Sequence, residues 1–507
     1  MHRLPTTRMI APLFPSSAVR RPLPRTGVRV LLVNLNSYDQ PYPVYPLGLA
    51  YIDGALRSAG HVTRIWDGRM SEETLEAAIA DFAPDLVGVS MRNIDNVQYH
   101  NPRSFVQDLV VCCDRVRAVT AAPLVLGGSA FSVFPKELFE LSRVDYGIQG
   151  EGERTLLRLI EALQTGATLA DINGLHHRGP DGVARWLPTH PNDVLFTAEP
   201  LHDEALLKRY VAQGSLPGIQ TQRGCPLRCC YCTYPLIEGK RSRYRAGEDV
   251  ADEMRRLSAL GVKYTFIVDS VFNTRPDHVV EICEALIRAK VDMQWECFLR
   301  PRNATRELLA LMQRAGMRHV EFGSDSFSDP VLKAYAKSFT YDEVQRASEA
   351  AHALGLHYSH FLILGGPGET PETVEETLAR ALTLPGAYYF ATIGMRIYPD
   401  TPLWRQLAPE KNGETAADYL KEPRFYLAPG FTVQGLFGRL SEIRRQHHNW
   451  VVGDPPPAFI ETIGKLRKRG VRGPAWEYIE LLQRLEGKAA AAVSVPTAGA
   501  PAFVASA

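Results

Sequence analysis

Cys225, Cys229 and Cys232 stand in the run Cys-Pro-Leu-Arg-Cys-Cys-Tyr-Cys, a C-x3-C-x2-C triplet. It follows the strand-like segment Gly218-Ile219-Gln220-Thr221-Gln222 and the turn Arg223-Gly224. Three thiolates at this spacing can hold three irons of a [4Fe-4S] cluster and leave the fourth iron open. An open iron can bind the amino and carboxylate groups of S-adenosylmethionine and pass an electron to its sulfonium. That is the chemistry of a radical enzyme, with the three cysteines as its metal ligands. Cys230 lies outside the spacing and reads as a packing residue, while Tyr231 could set an aromatic face against the adenine. Structural zinc asks for four closed ligands, commonly as two separated pairs, and no second pair follows. A disulfide framework belongs to short, cysteine-dense secreted chains, whereas eight cysteines in 507 residues are sparse.

The chain around this motif is long enough for two or three domains. Its 57 Lys and Arg nearly balance its 56 Asp and Glu, so no global field points to nucleic acid or a membrane surface as the main partner. Apolar runs such as 489–493 and 361–364 fall far short of the ~20 residues of a spanning helix. Residues 1–27 hold five arginines, five prolines and no acid, and read as a disordered leader. The Ala-, Val-, Pro- and Ser-rich stretch 488–507 reads as a disordered tail. Free cysteines, no secretion signal and an oxygen-sensitive cluster together imply a reducing cytoplasm.

Residues 28–163 alternate strands and helices. The runs 28–33, 60–67, 85–90 and 123–126 are β-rich, and helical patterns at 47–59, 75–82 and 105–119 separate them. Such alternation predicts a Rossmann-like parallel sheet whose ligand lies beyond the carboxyl ends of its strands. Gly127-Gly128 and the turn Gln149-Gly150-Glu151-Gly152-Glu153 sit at such ends and allow close approach of a bulky ligand. Ser90 and Arg92 follow the third strand in the same place. A second alternation starts at the cysteine strand, after a linker expected over 164–217. Its strands, 264–269, 293–299, 319–323, 358–364 and 388–397, predict an open (β/α)6 barrel over 218–404. Barrel chemistry sits at the carboxyl ends of the strands, here Asp269-Ser270, Arg300, Ser324-Asp325-Ser326 and Gly365-Gly366. Residues 405–487, with helical patterns at 436–450 and 476–485, are expected to form a helical cap that covers the barrel mouth and helps choose the substrate. His447 and His448 fall within that cap, with no further ligand at metal spacing.

Tyr45-Pro46-Leu47-Gly48-Leu49, Gly60-His61, Gly127-Gly128-Ser129 and Gly150-Glu151-Gly152-Glu153, in this order and ahead of the triplet, resemble the cobalamin-dependent radical SAM family. The resemblance spans roughly residues 28–404. It implies cobalamin bound over Ser90, Arg92, Gly127, Gly128, Gly150 and Glu151. The Asp-x-His-x-x-Gly run that gives other B12 domains a cobalt ligand is missing after Asn34-Leu35-Asn36, which implies base-off cobalamin with no protein histidine on the metal. Arg92 would then face the lower side of cobalt and discourage a sixth ligand; the alternative is an arginine paired with Asp95 in a surface loop. The resemblance also brings Ser324 and Ser326 toward the ribose and carboxylate of S-adenosylmethionine, and the Gly365-Gly366 turn past its adenine. Asp269 stands where many relatives carry a glutamate for the methionine amine. One arginine of the run Lys240, Arg241, Arg243, Arg245 is a further candidate for the cofactor carboxylate.

The implied activity is C-methylation of an unactivated carbon in a small-molecule or peptide substrate, with an external electron donor such as flavodoxin or ferredoxin. A rearrangement, ring contraction or cyclisation would use the same cofactors without net methyl transfer, and a non-catalytic B12-binding module would leave S-adenosylmethionine intact. Replacing Cys225, Cys229 and Cys232 together with Ala should abolish the cluster's broad visible absorption and all 5′-deoxyadenosine formation while cobalamin stays bound; Cys230→Ala should leave the absorption unchanged.

Overall fold

The computed structural model describes residues 23–40, 42–189, 198–453, 457–469, 471 and 473–479. Most of the expected leader and all of the expected tail lie outside them. Leu23, however, is buried in the cluster that holds Leu56 and Leu159, so the fold includes residues ahead of the expected boundary at residue 28.

Strands β1 (Arg29–Asn34), β2 (Val62–Asp67), β3 (Leu86–Ser90), β4 (Leu124–Gly127) and β5 (Tyr146–Ile148) form a parallel sheet in the order β2-β1-β3-β4-β5. Side chains alternate across a strand, and in β1 both faces are apolar. Leu31 and Val33 pack under the helices Leu75–Phe82 and Val106–Val119, whereas Val30 and Leu32 pack under Leu47–Ser58 and Gly152–Thr165. The strand order reverses between β1 and β3, which opens a crevice at their carboxyl ends. Register puts Asn34 beside Ser90 and Ser90 beside Gly127, so these three residues end in one row along the crevice.

The stretch expected as a linker over 164–217 is built into the fold. Strands β6 (Leu175–Arg178) and β7 (Ala184–Trp186) run antiparallel and extend the first sheet beyond β5. The helix Glu204–Ala212 brings the Tyr210 hydroxyl to Asp67 (2.8 Å). These strands are too short for a two-residue period to register, and antiparallel pairing across Gly179-Pro180-Asp181-Gly182 breaks the strand-helix rhythm that the sequence was read by.

The second sheet is all parallel. Its strands are β8 (Gly218–Ile219), β9 (Tyr264–Ile267), β10 (Gln294–Leu299), β11 (Met317–Asp325), β12 (His357–Leu364), β13 (Ala387–Ile393) and β14 (Trp450–Val452), in the order β14-β13-β12-β11-β10-β9-β8. Six were expected; β14 is a seventh, drawn from the C-terminal region. Trp450 is fully buried there and stacks on Tyr389 with centroids 4.5 Å apart. The helix before it, Val433–Gln446, ends at His447, so His447 and His448 lie past a helix rather than within one. Part of the expected 476–485 helix is a 3-10 turn, Ala475–Tyr478, followed by a helical Ile479, and residues 480–485 lie outside the described residues.

The two sheets meet through shared apolar packing and through charge. Glu151 and Glu153, in the Gly-Glu-Gly-Glu turn after β5, face Arg223 and Arg243, which flank the cysteine loop. Arg223 donates to Glu151 (3.1 Å) and Glu153 (2.7 Å), and Arg243 to Glu151 (2.9 Å). Both arginine side chains are over nine-tenths buried. Removing one partner of a buried pair leaves an uncompensated charge. Glu151→Ala should therefore lower unfolding stability by about 3–5 kcal/mol in denaturant titrations and loosen retention of cobalamin on gel filtration.

Candidate active site

The cysteine loop is shaped by its backbone before any metal is considered. Gly224 has φ +86°, and a Cβ there would collide with the Arg241 carbonyl oxygen, so the turn into Cys225 demands glycine. The Cys225 amide donates to Gly239 O (3.0 Å) and the Cys232 amide to Cys229 O (3.2 Å). The three thiols sense one another's charge. Burial pushes all three up, Cys232 to about 12, so free thiols would stay protonated at neutral pH. One buried and two half-buried thiols in a single short loop fit a cluster, because a bound metal is what holds such groups as thiolates. Cys230 turns the other way: its sulfur lies 3.6 Å from that of Met395 and its amide donates to Tyr335 O (3.1 Å).

Beside the loop stands a polar group that spacing did not reveal. Between Phe322 and Asp325 the register of β11 against β12 shifts, and Asp325 adopts φ +64°, a left-handed conformation uncommon for a residue with a side chain. This re-aims its carboxylate at Lys337, with which it pairs, and at the Tyr231 hydroxyl (2.6 Å). Lys337 is buried and also donates to Gly323 O (3.1 Å). Burial opposes its charge, but Asp325 and then Cys229 outweigh burial and raise its pKa. A fixed cation thus sits next to the thiols. Tyr231, expected as an adenine platform, has its hydroxyl committed to this group.

The other expected ligands of S-adenosylmethionine are also engaged elsewhere. Asp269 is fully buried and accepts from Thr221 N (2.7 Å), Thr221 Oγ1 (2.5 Å) and Gln222 N (3.1 Å). Burial pushes it up to about 7 despite those donors. It anchors the segment leading into the cysteine loop. Ser324 bonds His360 Nδ1 (2.8 Å) and Ser326 bonds Thr377 Oγ1 (3.1 Å), so both hydroxyls point into the packing. The Gly365-Gly366 turn is closed by Glu369, which accepts from both amides, with 3.0 Å at Gly366. A Cβ at Gly366 would strike the Tyr335 hydroxyl. Of the basic run, Arg243 belongs to the joint between the sheets and Arg245 pairs with buried Glu253 (2.5 Å), while Lys240 and Arg241 are exposed.

Beyond the loop lies one large cavity of about 840 Å³. Ser90, Arg92, Gly127, Gly128, Gly150 and Glu151 line one side, and Phe266, Phe298, Glu321, Phe361 and Phe390 of the barrel line the other. Gly128 has φ +100°, and a Cβ there would meet the Met91 carbonyl, so the backbone at this wall stays bare. No histidine is among the described lining residues. This glycine-edged space, without an imidazole, suits a corrin lacking a protein axial ligand. Glu151 reaches it only as part of the ion cluster. Arg92 opens onto the cavity although protein walls it in, and that burial lowers its pKa. Asp95, the expected alternative partner of Arg92, is instead paired with buried Arg396 (3.0 Å). Arg92 donates to Asn93 Oδ1 (3.2 Å) and has no ion pair among the described residues.

Residues 39–160 match the B12 binding domain and residues 219–381 the radical SAM superfamily. The uncharacterized methyltransferase PH0819 of Pyrococcus horikoshii is 30% identical over 368 residues, covering 71% of this chain and 77% of that protein. The tryptophan 2-C-methyltransferase of Streptomyces laurentii is 26% identical over 451 residues, covering 76% and 75%. In fold, the chain is similar to the radical S-adenosylmethionine methyltransferase TsrM from Kitasatospora setae, solved with cobalamin and a [4Fe-4S] cluster. The TM-score is 0.80 at 24% identity, over 92% of this chain and 100% of that one. With a B12 sheet and a cysteine-bearing barrel walling one cavity, the chain belongs to the cobalamin-dependent radical SAM enzymes.

Proposed function

We propose that this enzyme is a C-methyltransferase acting on an unactivated carbon of a small molecule or peptide. The observation that carries the reading is the single cavity: the strand ends that suit a corrin and the barrel interior open onto the same space. When bound, the cluster and cobalamin supply, respectively, an open iron that reductively cleaves S-adenosylmethionine and a carrier for the methyl group. The chain's own residues hold these centres and exclude water. Cys225, Cys229 and Cys232 would ligate the cluster, and Lys337, fixed by Asp325, places a positive charge beside the thiolates. The buried joint of Glu151, Glu153, Arg223 and Arg243 holds the cavity's two walls together. Proximity of this kind turns a sequence of encounters into one bound arrangement.

Relatives named for methyl transfer act on differing molecules, among them tryptophan and, in Methylococcus capsulatus, a hopanoid. Their names support the reaction class for this chain and leave the substrate to the cavity's chemistry. An external donor of the flavodoxin or ferredoxin kind would supply the cluster's electron. No described helix is long and apolar enough to cross a membrane. A reducing cytoplasm suits eight cysteines that are all free.

Incubation with reductant, substrate and methyl-labelled S-adenosylmethionine should give labelled product, 5′-deoxyadenosine and S-adenosylhomocysteine. Deoxyadenosine formed with a product of unchanged carbon count would replace methyl transfer with rearrangement. Arg92 provides a second test, because a cation at the cavity wall with no ion pair among the described residues would discourage a further ligand on bound cobalamin. Arg92→Leu should change the Co(II) electron paramagnetic resonance spectrum and slow methyl transfer while leaving cluster-driven cleavage largely in place; an unchanged spectrum and rate would remove Arg92 from the site.

A further inference from the structure

The barrel side of the cavity carries an aromatic row with one acid set into it. Phe266 of β9, Phe298 of β10, Phe361 of β12 and Phe390 of β13 line the space. Their rings meet in sequence at centroid distances of 4.8, 6.1 and 4.8 Å. Glu321 belongs to β11, the strand between β10 and β12, and register sets it directly beside Phe298. A carboxylate thus interrupts an otherwise apolar wall.

The other acids lining the cavity have cationic neighbours. Asp95 pairs with Arg396, Glu151 with Arg223 and Arg243, and Glu153 with Arg223. Glu238 accepts from Gln220 Nε2 (2.8 Å) and Gly224 N (3.1 Å); burial raises its pKa, and the charges of Arg223 and Arg243 oppose that rise. Glu321 has neither an ion pair nor a cationic neighbour of this kind among the described residues. Among the described residues it accepts only the indole N–H of Trp476, at 2.9 Å. Behind it, Glu296 of β10 is 1% exposed and its Oε2 has no hydrogen-bond partner among the described residues. Burial pushes Glu321 up to about 7. Burial, and then the charge of Glu321, hold Glu296 well above the ordinary carboxyl range, against a bond from Tyr264 and the charge of Arg467. Two adjoining buried carboxyl groups with too little positive charge are stabilised by an incoming cation, and aromatic faces add to its attraction.

We propose that Glu321, with Glu296 behind it, anchors a protonated amine of the substrate, whose apolar body lies along the four phenylalanine rings. The inference names a substrate class for the methyl transfer proposed above and rests on that reading for the word substrate; the binding site itself does not. The test is calorimetric titration of the cobalamin- and cluster-loaded enzyme with phenethylamine and with its neutral counterpart 2-phenylethanol. Phenethylamine should bind measurably tighter than the alcohol. In Glu321→Gln, matched to the unsubstituted enzyme in melting temperature and cobalamin content, its affinity should fall roughly ten- to hundredfold. Equal binding of amine and alcohol, no amine binding, or undiminished binding in the glutamine variant would overturn the proposal. Should the variant misfold, the comparison of the two probes on the unsubstituted enzyme decides. Amine binding without methyl transfer to any amine would retain the site and reject the methyltransferase reading, whereas methyl transfer with no preference for amines would do the reverse.

Discussion

The buried charge cluster of Glu151, Glu153, Arg223 and Arg243 is the constraint on which the remainder of the site depends. The apolar packing shared by the two sheets, such as the cluster that joins Val33 and Phe134 to Tyr335 and Met395, could be satisfied in many ways, since the hydrophobic effect has no direction. Bidentate arginine–carboxylate contacts are directional, and charges buried this deeply are tolerated only when matched. The turn after β5 and the flanks of the cysteine loop are therefore tied together in one arrangement. The cavity exists because that arrangement sets the β1/β3 crevice of one sheet against the interior of the other.

A second consequence follows for the cysteine loop. Its conformation is held by elements distant in sequence: Asp269 at the end of β9 grips Thr221 and Gln222, and Glu238 grips the Gly224 amide. Lys337 reaches the thiols because a register shift turns Asp325 toward it. Each of these groups positions the ligands without being one. Two carboxylates expected at a cofactor, Asp269 and Glu151, also hold the scaffold, Asp269 through Thr221 and Gln222 and Glu151 through Arg223 and Arg243.

The fold was readable because its signals are local and repeated. Strand runs such as Val30 to Val33 and helices such as Leu75–Phe82 carry their period in adjacent residues, and the carboxyl-end rule then locates the working edge of each sheet. Short or non-local elements escaped: β6, β7 and β14 have three or four residues each and form only because a neighbouring edge is available to pair with.

By itself, the amino-acid sequence determined the ligand triplet, because C-x3-C-x2-C lies within one short loop and its chemistry depends on spacing alone. It also determined the two strand-helix alternations and the bare glycine edges, whose causes are steric and local. Only the tertiary structure decided which polar groups are free. Arg92 is open to the cavity because Asp95 is taken by Arg396, 301 residues away, and Ser324 and Ser326 are unavailable because His360 and Thr377 hold them. Glu321 stands amid four phenylalanines that come from four other strands. A side chain's partners depend on where the whole chain returns, and hydrogen-bond and ion-pair competition between distant segments leaves no trace in local pattern.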